Sequence, residues 1–133
     1  MPQSRWPLII GALSACIAVS LNALGAHALA PLLLASGKQP LFQTALDMHQ
    51  MHALGLILIG LALTRQPRNR FWQIAAVLML LGQLLFSGNL YLTSLAGSSP
   101  VHWLTPIGGF CLISSWIVFT VGALKRDVPA QHR

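Results

Sequence analysis

The chain has 133 residues, of which 55% are hydrophobic and only 8% charged, with a formal net charge of +6. Soluble domains carry about 25% charged residues, so a soluble globular domain is excluded, and at this length the chain is one domain. Its basic residues flank apolar runs instead of lining a helix face, which directs them at anionic lipid headgroups and argues against nucleic acid as a partner.

Four apolar runs, 8–28, 43–64, 71–95 and 103–124, take up most of the chain. Each is about 20 residues, the length needed to cross about 30 Å of hydrocarbon at about 1.5 Å per residue. The expected fold is therefore all-α: an integral membrane four-helix bundle, with residues 1–133 as a single transmembrane domain. The loops are too short to hold a soluble unit. Seven of the eight Lys and Arg residues fall on one side of such a bundle. Arg5 precedes the first span, Arg65, Arg68 and Arg70 separate the second from the third, and Lys125, Arg126 and Arg133 follow the fourth. Only Lys38 lies on the other side. Basic residues in short loops stay on the cytoplasmic side, so both termini are expected inside.

The first span opens with Trp6-Pro7, an interfacial aromatic and a proline suited to a first helical turn. Its apolar run is longer than the core of a cleaved signal, so a retained helix is expected. Gly11, Ala15, Ala18, Asn22 and Gly25 recur every three or four residues and form one stripe of small side chains. Such stripes mark close helix contact in lipid, and Asn22 can bond across the contact. Cys16 and Cys111 fall at different depths and are read as packing residues, not a disulfide.

Pro31 to Pro40 interrupts the helix and is too short to span. It is expected to be a short interfacial helix or re-entrant turn. The second span is polar in its first half, with Gln43, Thr44, Asp47, His49, Gln50 and His52, and apolar from Ala53 to Ala62. At about 100° per residue, Gln43, Asp47 and Gln50 share one face while His49 and His52 point nearly the opposite way. The third span is apolar to Leu81 and then carries Gln83, Ser87, Gly88, Asn89 and Tyr91. The fourth carries Thr105-Pro106 and Gly108-Gly109 near its start; its Ser114, Ser115 and Thr120 can bond carbonyls of their own helix. Polar groups thus gather in the outer half of the bundle. Such groups are costly in hydrocarbon and are satisfied more cheaply together. The candidate cluster is His27, Asp47, Gln50, His52, Ser87, Asn89 and Thr105, Asp47 being the one acidic residue outside the tail.

Four segments resemble a known family. Gly25-Ala26-His27-Ala28-Leu29 resembles the GAHAL element of the small YgdD/YwdK-like membrane proteins, a domain family of unknown function numbered 423. Phe42, then Gln50 followed by His52-Ala53-Leu54, is similar to its F…Q…HAL element. Leu85-Phe86-Ser87-Gly88-Asn89-Leu90-Tyr91 is similar to its LFSGSLY element, with Asn89 in place of the more usual Ser. Thr105-Pro106-Ile107-Gly108-Gly109 with Trp116 resembles its ending. The family pattern often has an aromatic residue before the Gln, where this chain has His49. The resemblance covers about residues 8 to 124 and implies a four-helix multi-pass protein of the bacterial inner (plasma) membrane, with no established activity, cofactor or substrate.

No nucleophile with its base and no HExxH motif can be read from the chain, so an enzyme is not expected, and no catalytic, cofactor or metal residues are assigned. The first expectation is a structural or accessory protein that packs with lipid, a larger membrane complex or a second copy through its small-residue faces. The alternatives are an oligomeric channel or transporter for a small solute or ion, and a metal or haem protein using histidines such as His27 and His52. The charge asymmetry makes a direct prediction. Gln66→Cys is labelled by a membrane-impermeant thiol reagent only after the cells are opened, and Ser98→Cys is labelled in intact cells. Labelling of Gln66→Cys from outside reverses the orientation.

Overall fold

The computed structural model describes residues 5–125, and these residues are all helix and connection, with no strand among them. The elements are α1 (Trp6–Ala26), α2 (Ala30–Ala35), α3 (Gln39–Arg65), α4 (Arg70–Gln83), a π-helical turn (Leu84–Gly88), α5 (Asn89–Ala96) and α6 (Leu104–Leu124). Four stretches are long and apolar enough to cross a membrane: Trp6–Ala26, Gln39–Arg65, Arg70–Ala96 and Leu104–Leu124. The third runs through α4, the π turn and α5 without a break. Arg126 and Arg133, counted in the charge asymmetry, lie outside the described residues.

Local chemistry sets the boundaries. Pro7, Pro31 and Pro40 sit in the first turns of α1, α2 and α3, where a missing N–H costs nothing. Gly37 closes α2 at φ +66°, with its own N–H bonded to Leu34 O and that of Lys38 bonded to Leu33 O. This is the paired terminator that a left-handed glycine allows. Asn69 caps α4 by accepting from Trp72 N at 3.3 Å. Its amide also donates to Gly122 O at 3.1 Å, tying the start of α4 to the end of α6. Lys38 does the corresponding work at the other end. Its ammonium donates to Thr93 O at 3.0 Å and also to Gly97 O, where the last carbonyls of α5 lack helical donors.

The helices pack as two tight antiparallel pairs, α1 with α3 and α4 with α6, joined along α3 and α4. Glycine makes each pair close. A Cβ on Gly60 would lie 2.5 Å from Leu8 N, and one on Gly11 would lie 2.8 Å from Ile57 N. In the second pair, a Cβ on Gly108 would lie 2.5 Å from Phe86 N, inside the π turn. Between the pairs lies an apolar core of Leu56, Ile59, Leu63, Ala75, Ala76, Met79 and Leu112. Ser115 donates to Ala75 O at 2.8 Å, so it bonds across the α4–α6 contact and not to its own helix as expected; Thr120 does bond its own helix, at Trp116 O.

The small stripe of α1 packs as expected at Gly11 and Ala18, both buried, with Ser14 between them. Asn22 is exposed and makes no hydrogen bond across a helix contact among the described residues. Large apolar side chains face outward, among them Leu13, Ile17, Leu54, Leu58, Ile74, Phe110, Ile113 and Ile117. Patches of this extent on a soluble protein drive aggregation, whereas a bilayer covers them.

Candidate functional site

The most buried polar arrangement is a chain of four side chains from three spans. Gln83 Nε2, at the end of α4, donates to Ser14 Oγ of α1. Ser14 Oγ lies 3.0 Å from His49 Nε2 of α3. His49 Nδ1 lies 3.2 Å from the Tyr91 hydroxyl of α5. Ser14, His49 and Gln83 are all less than a tenth exposed. Phe42 packs against Tyr91 with ring centroids 5.2 Å apart and closes one end of the chain.

The π turn is what brings Gln83 and Tyr91 to the same side. Residues eight apart on a regular α-helix are offset by about 80°; one extra residue in a π turn takes back about 100° and leaves only about 20°. Gln83, Ser87 and Tyr91 therefore form a column facing α1 and α3. Two atoms of that column, Gln83 Oε1 and Ser87 Oγ, are buried without a hydrogen-bond partner among the described residues.

The chain conducts hydrogen bonds in one direction at a time. A neutral imidazole has one donor and one acceptor nitrogen. With Gln83 Nε2 donating to Ser14, Ser14 donates to His49 Nε2 and His49 Nδ1 donates to Tyr91. Rotating the Gln83 amide by 180° lets Ser14 donate to Oε1 and reverses every bond to the far end. The two arrangements have the same heavy atoms and differ only in the His49 tautomer and the amide orientation.

The Ser14–His49 pair has the spacing of a nucleophile and its base. Its third member is a phenol, which cannot hold an imidazolium as a carboxylate does, and both side chains are enclosed. Among the described residues, no group of three or more His, Cys, Asp or Glu side chains is placed to hold a metal ion.

The residues expected to converge are distributed over several places. Asn89 and Thr105 do meet, at 2.7 Å, and Ser99 donates to Asn89 Oδ1 while Asn89 donates to Val101 O at 3.3 Å. This second cluster folds the connection between α5 and α6 onto α5. Ser87 is buried and its hydroxyl meets neither cluster's hydrogen bonds among the described residues. His52 is buried too, but its Nδ1 donates to Met48 O of its own helix at 2.7 Å, and its ring packs on Trp116. His27 is exposed beyond the end of α1, and Asp47 is exposed with Gln43 donating to it at 2.7 Å. Gln50 is half-buried and makes no side-chain hydrogen bond among the described residues. Ser14, His49, Gln83 and Tyr91 were outside the expected cluster. The signal that could have found Ser14 was its place on the small stripe, three residues after Gly11 and four before Ala18.

The family described as "Protein of unknown function (DUF423)" matches the chain over residues 21–109. The chain belongs to this family. It is 37% identical over 123 residues to the UPF0382 membrane protein YwdK of Bacillus subtilis (strain 168), covering 89% of this chain and 95% of YwdK. It is 36% identical over 123 residues to the UPF0382 inner membrane protein YgdD of Escherichia coli (strain K12), covering 92% of each. A UPF0382 membrane protein of Haemophilus influenzae is 33% identical over 118 residues, covering 89% of this chain and 93% of that protein. No solved structure matches. The protein is thus a small membrane protein of a family of unknown function, and the match from residue 21 to 109 takes in His49, Gln83, the π turn and Tyr91, while Ser14 lies before it.

The chain predicts an asymmetric response to two serine substitutions. Ser14→Ala leaves both His49 and Gln83 short of a partner and lowers stability by about 1–2 kcal/mol. Ser87→Ala removes an atom that has no partner among the described residues and is neutral or slightly stabilising. Unfolding in mixed detergent micelles, followed by tryptophan fluorescence, measures both. Equal losses would show that the chain through Ser14 carries no special load.

Proposed function

We propose that this protein is a non-enzymatic structural or accessory component of the bacterial inner membrane, with both termini cytoplasmic and α2 lying at the outer interface, whose work is to bind lipid or to dock against a larger membrane complex. The observation that supports this most is the way its side chains are used. The buried polar groups tie its own helices together, while broad faces of Leu, Ile and Phe are turned outward. The small-residue faces pack against neighbouring helices inside the protein, as Gly11 does on Ile57 and Gly60 on Leu8, so a partner would be met by these larger apolar faces. The charge on the loops supports the orientation, since Arg5, Arg65, Arg68, Arg70 and Lys125 share one end.

The test is purification from its native membrane into lipid nanodiscs without detergent delipidation, with cross-linking before extraction. A defined lipid or a stoichiometric membrane complex is expected to accompany the protein. A clean monomer that exchanges all lipids freely and cross-links to nothing would contradict the proposal.

A further inference from the structure

A small cleft of about 130 Å³ opens at the end away from the basic loops. It is bounded by Asn22, Gly25 and Ala26 of α1, Leu33 of α2, and Gln39, Phe42, Gln43 and Leu46 of α3. Its apolar walls, Leu33, Phe42 and Leu46, are buried and fixed. Three primary amides, Asn22, Gln39 and Gln43, line it as well.

Asp47 lies one turn of α3 beyond Gln43, beside the cleft and outside its lining. Gln43 donates its amide to Asp47 Oδ1 at 2.7 Å, which leaves Asp47 Oδ2 and Gln43 Oε1 free to accept. Asp47 is exposed and is the only acidic residue among those described. Among the described residues Lys38 is the one Lys or Arg at this end, and its ammonium donates to the carbonyls of Thr93 and Gly97 and not to Asp47. Along α3, Asp47 is about 27 Å from Arg65, which puts its carboxylate at the edge of a hydrocarbon layer about 30 Å thick. A carboxylate at that depth is costly unless paired.

The acceptors select the cation. Asp47 Oδ2, Gln43 Oε1 and Asn22 Oδ1 offer three hydrogen-bond acceptors, the number of donors on a primary ammonium. A quaternary ammonium has no N–H to give and needs an aromatic cage, whereas Phe42 is the one aromatic ring lining the cleft. A divalent ion takes about six or more oxygen ligands, of which these three side chains offer only half. The surface below Asp47 argues for a tethered amine. Met51, Leu54 and Leu58 follow at four, seven and eleven residues, on the same face of α3, and all are exposed. They form an apolar track running from the carboxylate toward the membrane centre, where an acyl chain would lie.

We infer that this cleft binds the primary-ammonium headgroup of a phospholipid, with Asp47, Gln43 and Asn22 holding the amine and the Met51–Leu54–Leu58 face holding a chain. The inference rests on the lipid-binding reading above and narrows it to one headgroup at one place. An anionic headgroup without an amine is not selected, because Asp47 offers it no positive partner.

The full-length protein in nanodiscs of phosphatidylethanolamine, phosphatidylcholine and phosphatidylglycerol in equal amounts, released into native mass spectrometry, supplies the test. The expected result is one retained phosphatidylethanolamine per chain, favoured over phosphatidylcholine by about tenfold. Asp47→Asn, an exposed substitution checked for retained helicity by circular dichroism, is expected to remove the preference. Gln43→Leu is expected to weaken it, and supplies a second variant should Asp47→Asn not fold. Equal retention of the ethanolamine and choline lipids, or a preference that survives both substitutions, overturns the site while leaving general lipid binding intact. Binding of free O-phosphoethanolamine as tightly as the lipid would show a soluble amine as the ligand, with no contribution from the apolar track, and overturn the lipid assignment.

Discussion

The close approach of backbones at glycine is the constraint on which the rest of the structure depends. Inside a bilayer, apolar side chains gain nothing by leaving lipid for protein, so helix association rests on packing and on hydrogen bonds between helices. Both need short distances. At Gly60 and Gly11 the α1 and α3 backbones come within reach of each other, and at Gly108 the α6 backbone meets the π turn. Ser14 has one of the shortest polar side chains in the protein, and it can touch His49 only because α1 lies directly on α3.

The π turn and Gly108 are two sides of one arrangement. The extra residue pushes the backbone at Phe86 toward α6, where any side chain at position 108 would collide with it. On the opposite side the same turn carries Gln83 and Tyr91 around to face His49. The polar chain therefore crosses from one glycine-tight pair to the other and specifies how the pairs meet. Its groups are uncharged in kind apart from the imidazole, it has no carboxylate, and it is enclosed. These properties suit a device for helix registry. At the two ends, Asn69 and Lys38 use side-chain donors on carbonyls that a neighbouring helix end leaves open.

The spans, their number and their antiparallel order were legible from apolar runs and turn residues, because length in hydrocarbon leaves few choices. Each span edge fell within four residues of its expected place, the start of α3 differing most because Gln39-Pro40 opens the helix earlier than the first apolar run suggests. The opposition of His49 and His52 to Asp47 was also legible, since a helix wheel fixes it. The grouping was not. Depth alone placed His27 with His52, although His27 lies past the last turn of α1 and His52 bonds its own backbone. Ser14 resembled any serine that bonds its own helix, and the π turn has no compositional signature. Without that turn, Gln83 and Tyr91 fall on different faces and the chain cannot be inferred.

Alanine at four glycines tests the central claim most directly. In mixed micelles, Gly60→Ala and Gly108→Ala are expected to lose about 1–3 kcal/mol of unfolding free energy through overpacking against backbone. Gly88→Ala, where nothing lies within 4 Å, and Gly109→Ala, whose nearest neighbours are 3.7 and 3.8 Å away, are expected to hold their stability or gain slightly from better helix propensity. Loss at Gly88 or Gly109 equal to that at Gly60 and Gly108 would contradict the account.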